Sequence, residues 1–174
     1  MTPSKFPSIV IGAAVYTVLA VILSFVALSG GMVASIVGSC ALCLTALVGP
    51  LVAVWHYTST HHLTIPAGTG AGIGAGAGAL GAILSGVISL ILQAVNLLPD
   101  TAEQMARQRE MMLESGMDPA QIDQQMEMTS AFTGNPIIGI VIGVVIGAVV
   151  GAIAGAIGAS VFKKGDVPMD DPIG

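Results

Sequence analysis

The sequence predicts an all-α integral membrane protein, a single membrane domain over residues 1–174. Four transmembrane helices make it up, with a helical hairpin inserted between the third and the fourth. Three observations predict it. Hydrophobic residues are 54% of the chain and 23 glycines come on top, while charged residues are 9%. A soluble domain carries about 25% charged residues, so this chain cannot cover a water-facing surface. Long uncharged runs alternate with short polar ones. Seven of the ten acidic residues fall in one block, residues 100–127, beside Arg107 and Arg109. This composition excludes a soluble enzyme domain and a disordered chain, and a net charge of -5 excludes a nucleic-acid binder.

The spans follow from the uncharged runs. They cover residues 8–28, 32–56, 70–98 and 136–162, the first two separated by Ser29-Gly30-Gly31. Each holds at least the roughly 20 apolar residues that cross about 30 Å of hydrocarbon. Barrel strands would show alternating segments of about 10 residues, and these runs are continuous. The first run exceeds the 7–15 residues or so of a signal-peptide core, so it reads as a retained helix.

An even number of spans puts both termini on one side. Lys5, Lys163 and Lys164 lie close to helix ends there, against Arg107 and Arg109 on the other. Because orientation follows Lys and Arg rather than net charge, both termini are expected in the cytoplasm. Trp55 and Tyr57 suit an interfacial anchor at the end of the second span.

The fourth span carries Gly139, Gly143, Gly147, Gly151 and Gly155, one every fourth residue, a glycine-zipper pattern. Such spacing lets two backbones approach closely in lipid, where packing drives association. Four residues turn a helix by about 400°, so the stripe drifts about 40° per step. A straight partner cannot follow all of it, and the stripe can serve two neighbours in succession. The third span opens with glycine at every other position from Gly68 to Gly78, which predicts fraying over residues 68–76. Its later half bears Ser85, Ser89, Gln93 and Asn96, a polar intramembrane face expected to point into the bundle. The string at residues 76–81 matches G-x-G-x-x-G, but a phosphate turn needs a preceding strand, so helix packing is the expected role. In the first span Ala13, Thr17, Ala20, Ser24 and Ala27 form a small face; in the second, Ser35, Ser39, Cys43 and Ala46 do.

The hairpin, residues 100–133, has its own punctuation. Asp100 and Glu103 fit a capping box, and Gly116 fits a helix stop. Asp118 caps a second helix with Pro119 in its first turn, and Asn135 caps the fourth span before Pro136. The third span is expected to bend at Pro99 and continue into the hairpin. Six of nine methionines lie here. Met105, Met112, Ile122 and Met126 form a stripe that closes the hairpin on itself or on the membrane surface. Methionines also suit an adaptable partner surface or copper(I), but no histidine or cysteine in the hairpin supports a metal site. A tail, residues 163–174, follows the last span.

Chemistry is hard to find. Cys40 and Cys43 form a C-x-x-C in mid-span, without the basic neighbour that makes a thiolate. His56, His61 and His62 have no carboxylate or cysteine nearby to complete a metal site, so they read as an interfacial loop. The span cores hold no Asp, Glu, Lys or Arg, which proton relays and ion-coupled carriers require. No catalytic residue, cofactor or metal is expected, and the chain reads as a non-enzyme.

The order of elements and the wording of residues 103–136, EQMARQREMMLESGMDPAQIDQQMEMTSAFTGNP, with the basic stop VFKKGD, carry a family resemblance. The chain resembles the bacterial multi-pass membrane proteins of domain of unknown function family 4199. Its glycine load in the third and fourth spans is heavier than that pattern, and a histidine-rich loop stands where basic residues would be expected. The resemblance implies multi-pass topology in a bacterial cell (inner) membrane and carries no site residues. The expected partners are the lipid bilayer and either a second copy or another membrane protein, with no nucleic acid. The expected role is structural or interactive. The alternative is an oligomeric channel or carrier for small solutes, lined by the polar face of the third span.

Overall fold

A computed structural model describes residues 3–28, 32–99, 101–133 and 135–163. They form six helices: α1 Phe6–Leu28, α2 Met32–His61, α3 Ala67–Ala94, α4 Thr101–Glu114, α5 Pro119–Thr133 and α6 Pro136–Val161. No strand occurs among the described residues. Three described segments, Phe6–Val26, Ala67–Ala94 and Ile137–Val161, are long and apolar enough to cross a membrane. The chain divides into two compact units, the described residues of Met1–Ser85 with Gly143–Gly174, and Gly86–Ile142.

In the first unit, α3 and α6 touch backbone to backbone. Each glycine of one helix faces a glycine carbonyl of the other: Gly70 with Gly155, Gly74 with Gly151, Gly78 with Gly147. The pairing runs down one helix as it runs up the other, so the two are antiparallel. A Cβ at any of the six would enter the partner's backbone; at Gly147 it would lie 2.7 Å from the Gly78 oxygen. Contacts this close bring Cα–H groups against carbonyl oxygens, a weak bond repeated along the seam.

Alternate glycines in α3 now have a reason. Two residues turn a helix about 200°, so the run is two interleaved four-residue series on opposite faces. Gly70, Gly74 and Gly78 meet α6. In the other series a Cβ built on Gly76 would lie 3.1 Å from the Ile9 side chain, and Gly68 and Gly72 face open space. Fraying over residues 68–76 is not observed: α3 is helical from Ala67. Each glycine costs about 1 kcal/mol of propensity, but packing of one face on α6 outweighs it.

α1 and α2 pack along each other. Gly12 and Gly49 approach reciprocally; a Cβ on Gly12 would meet the Gly49 oxygen at 2.6 Å, and one on Gly49 would meet the Gly12 oxygen at 2.9 Å. Ser8 Oγ lies 3.0 Å from His56 Nδ1, so the two helices are antiparallel. Pro50, buried beside Gly49, sits within α2 and leaves one carbonyl of its helix without a ladder bond. α1 runs parallel to α3: Ile9 packs on Gly76, and the Tyr16 ring lies 2.6 Å from a Cβ built on Gly81. α2 meets α6 where Leu51 and Val54 approach Gly158. The buried cluster comprises Ala53, Val54, Tyr57, Ile65, Ile73, Ala77 and Ala159, with Ile9, Leu63 and Phe162 against it.

Large apolar side chains face outward. Val18, Ile22 and Phe25 on α1 and Val145, Val149, Ile153 and Ile157 on α6 are exposed, whereas Gly, Ala and Thr fill the interior together with Val54, Tyr57, Ile65 and Ile73. So broad an exposed apolar surface suits an apolar surrounding.

In the second unit, α4 and α5 pack on each other. Arg109 donates to Asp123 across them at 2.9 Å, a half-exposed pair. Ile122 is fully buried, and Met105, Met112 and Met126 are half-buried, whereas Met117 and Met128 are exposed. Asp118 Oδ1 accepts from the Ala120 amide at 2.8 Å, and Asn135 Oδ1 from the Ile137 amide at 3.0 Å, so both caps form. Asp100 lies outside the described residues, and Glu103 binds Arg107.

Three left-handed residues set helix ends, and at two of them, His62 and Asn96, the end departs from the sequence reading. α2 continues to His61, beyond the expected residue 56, and stops where His62 takes φ 50°. α3 stops at Ala94, short of residue 98, because Asn96 takes φ 57°. α4 stops at Gly116, φ 79°. In each, the following amide reaches back five residues: Leu63 to Thr58, Leu97 to Leu92, Met117 to Met112. This is the Schellman closure, which asparagine and histidine adopt less often than glycine. α3 therefore ends in a turn before Pro99 and does not continue into α4.

The seam predicts opposite effects of one substitution at two places on α6. Gly151→Ala should destabilise by about 1–3 kcal/mol, as overpacking does. Gly143→Ala, with nothing within 4 Å, should stabilise by up to about 1 kcal/mol through propensity alone. Unfolding in mixed micelles followed by circular dichroism measures both; equal effects would dismiss the seam.

Candidate functional site

The helix-packing glycines divide into two sets. Gly147, Gly151 and Gly155 lie in the α3 seam, while Gly139 and Gly143 have nothing within 4 Å of a built Cβ. The drift of about 40° per step accounts for the division. With Gly151 centred on α3, Gly147 and Gly155 are about 40° to either side, whereas Gly143 and Gly139 have turned about 80° and 120° away. The G-x-G-x-x-G string is consumed in packing: Gly76 on Ile9, Gly78 on Gly147, Gly81 on Tyr16.

Of the four polar residues, Ser85, Ser89 and Gln93 lie on α3 and Asn96 follows its end. Ser85 Oγ donates to the Ala82 carbonyl at 3.1 Å, within its own helix. Gln93 Nε2 donates to Ser89 Oγ at 3.4 Å, also within the helix. Asn96 lies beyond the helix end and is exposed. A hydroxyl bonded to its own helix satisfies its polarity locally and has no need of a pore or partner.

Gln93 and Asn96 instead line a cleft in the second unit, about 310 Å³ in volume, with Leu97, Pro99, Glu103 and Arg107. Arg107 and Glu103 form an ion pair at 2.7 Å, both half-exposed. The cleft thus offers amides beside one paired cation and anion. It contains no nucleophile coupled to a base, and its shape exists because Asn96 turns the chain back toward α4.

The histidines separate by role. His56 pairs with Ser8, His61 lies edge-on to Tyr57 with centroids 5.0 Å apart, and His62 is the left-handed helix stop. Among the described residues no three His, Cys, Asp or Glu side chains gather as a metal site would require. The side chains of Cys40 and Cys43, and of Ser35 and Ser39, lie outside the described residues.

The sequence reading missed two features. One is the Gly12–Gly49 contact, since each glycine stands alone without a repeat; the adjacent Pro50 was the available signal. The other is the pairing of Gln93 and Asn96 with Glu103 and Arg107. The i, i+4 spacing of Glu103 and Arg107 was readable, but not the turn at Asn96 that brings them to the end of α3.

Comparison with curated proteins and with solved structures returned no match at significant similarity. A family model described as protein of unknown function (DUF4199) matches residues 9–164, nearly the whole chain. It takes in α2–α5 whole, almost all of α1, and α6 to its end. The chain therefore belongs to the DUF4199 family.

Proposed function

We propose that this chain is a non-enzymatic protein of the bacterial inner membrane. It crosses four times, keeps both termini in the cytoplasm and exposes α4 and α5 as an acidic outer hairpin. It works by associating with a second copy or with other membrane proteins. Four crossings are supported by α2, which runs for 30 residues and packs antiparallel to the span in α1. At about 1.5 Å per residue it exceeds the hydrocarbon thickness.

The observation that carries the interaction role is the unused part of the α6 glycine series. Gly139 and Gly143 leave a small-residue surface flanked by exposed Ile138, Val141, Val145 and Ile146. A glycine in a helix costs stability unless something approaches it, and among the described residues nothing lies within 4 Å of a Cβ built on either. The exposed Met117 and Met128 add adaptable apolar contact on the hairpin.

Gly139→Leu with Gly143→Leu should leave the helical content unchanged and lower the assembly mass in nanodiscs. An unchanged mass would refute the association reading. For topology, in a Cys40→Ser, Cys43→Ser background, Met117→Cys should react with a membrane-impermeant maleimide applied from outside, and Lys5→Cys should not. The reverse labelling would invert the orientation.

The cleft at Gln93 favours a second reading, a channel or carrier for small polar solutes. Proteoliposomes should then show solute flux that Gln93→Leu abolishes, and absence of flux across a broad panel leaves the interaction role alone.

A further inference from the structure

We propose that a cleft between the α2–α3 connection and the end of α6 binds one anionic phospholipid. Its phosphate would sit at Lys163 and the start of an acyl chain on Ile65, Pro66 and Ala159. The inference rests on the membrane-spanning reading above.

The cleft lies within the first unit and measures about 370 Å³, inside the range of roughly 300–1,000 Å³ usual for ligand pockets. Its walls are mainly apolar, Ile65, Pro66, Ala67 and Ala159, with Thr64, Ser160 and Lys163 as the polar lining. Ile65 and Ala159 belong to the buried cluster, so this wall is fixed by the packing of the bundle. Lys163 follows α6 by two residues and is exposed. A lysine at the end of a span lays its stem on apolar surface and carries its ammonium to headgroup level.

Charge selects the headgroup. The described residues of the first unit contain Lys5, Lys163 and three histidines, and no Asp or Glu. The ion pairs among the described residues, Arg107–Glu103 and Arg109–Asp123, do not involve Lys163, whose exposed ammonium stands at the edge of the cleft. α3 begins at this edge, at Ala67, with its positive dipole end, and α6 ends there with its negative one, so the two offset and the Lys163 ammonium sets the local charge. A zwitterionic lipid carries its own cation beside the phosphate and gains less here. Free phosphate leaves the apolar walls uncovered. An anionic phospholipid satisfies both parts of the cleft, as basic pockets between membrane helices do.

Native mass spectrometry of the full chain, released from detergent with equimolar phosphatidylglycerol and phosphatidylcholine, tests the assignment. One phosphatidylglycerol should be retained in clear preference. Lys163→Gln should cut that preference about fivefold, the effect of one lysine at a membrane surface, and Lys163→Arg should keep it. Ser160→Phe, filling the edge of the cleft from an exposed position, should reduce retention of either lipid. Equal retention of both lipids by a helical, correctly sized protein would overturn the site, as would an unchanged preference in Lys163→Gln or displacement by millimolar inorganic phosphate. Failure of the membrane reading is distinguishable, because the chain would then stay folded and retain neither lipid after detergent is withdrawn.

Discussion

The fold depends on the contact between the α3 and α6 backbones. In water, a helix pair is held by removing large side chains from solvent. In lipid, that gain vanishes, since hydrocarbon surrounds the helices either way. What remains is close approach, and only glycine permits a carbonyl to sit where a Cβ would stand. Gly70, Gly74 and Gly78 against Gly155, Gly151 and Gly147 meet that condition six times over one seam. The seam also joins segments that are far apart in sequence, with α4 and α5 between them, so it closes the bundle. The Gly12–Gly49 contact is local by comparison, between consecutive helices.

The seam also explains which way residues face. Small residues are drawn inward because they shorten the distance between helices, and large ones remain outside because nothing rewards their burial. Tyr57 is the largest fully buried side chain, and its hydroxyl donates to the Pro3 carbonyl at 3.2 Å, outside the α1 span. Hydroxyls along the helices mostly donate to their own helix: Thr17 to Ala13, Ser24 to Ala20, Thr45 to Ala41, Ser160 to Ile157. They cost no stability in hydrocarbon and bring no function with them. Polar residues in such helices are therefore poor guides to a solute path.

Helix class, order and approximate length were legible in the sequence, because a continuous apolar run constrains the backbone to satisfy itself. The glycine spacing announced a tight contact on α6 but not its partner. The alternation in α3 looked like weakness when taken two residues at a time; taken four at a time it is the matching half of the seam. Helix ends were less legible. Hydropathy placed the end of α2 at His56, yet polarity does not stop a helix, and His62 does so through its left-handed turn. Asn96, counted as part of a polar face, likewise terminates α3. Gly116 was read correctly because glycine is the usual residue there. The polar cleft was not legible, since it depends on a turn made by an asparagine rather than a glycine.

Charge placement completes the division of labour between the two units. Every described Asp and Glu lies in the second unit, and the charged side chains among the described residues of the first are Lys5 and Lys163. The ion pairs in α4 and α5 are half-exposed, so each contributes only about 0–1 kcal/mol. Those helices hold instead through the cap at Asp118, the Gly116 closure and the buried Ile122. Glu103, Asp118 and Asp123 are engaged in these contacts. The second unit carries its acidic side chains beside the exposed Met117 and Met128, whereas the first unit turns large apolar side chains outward and has no described carboxylate among them.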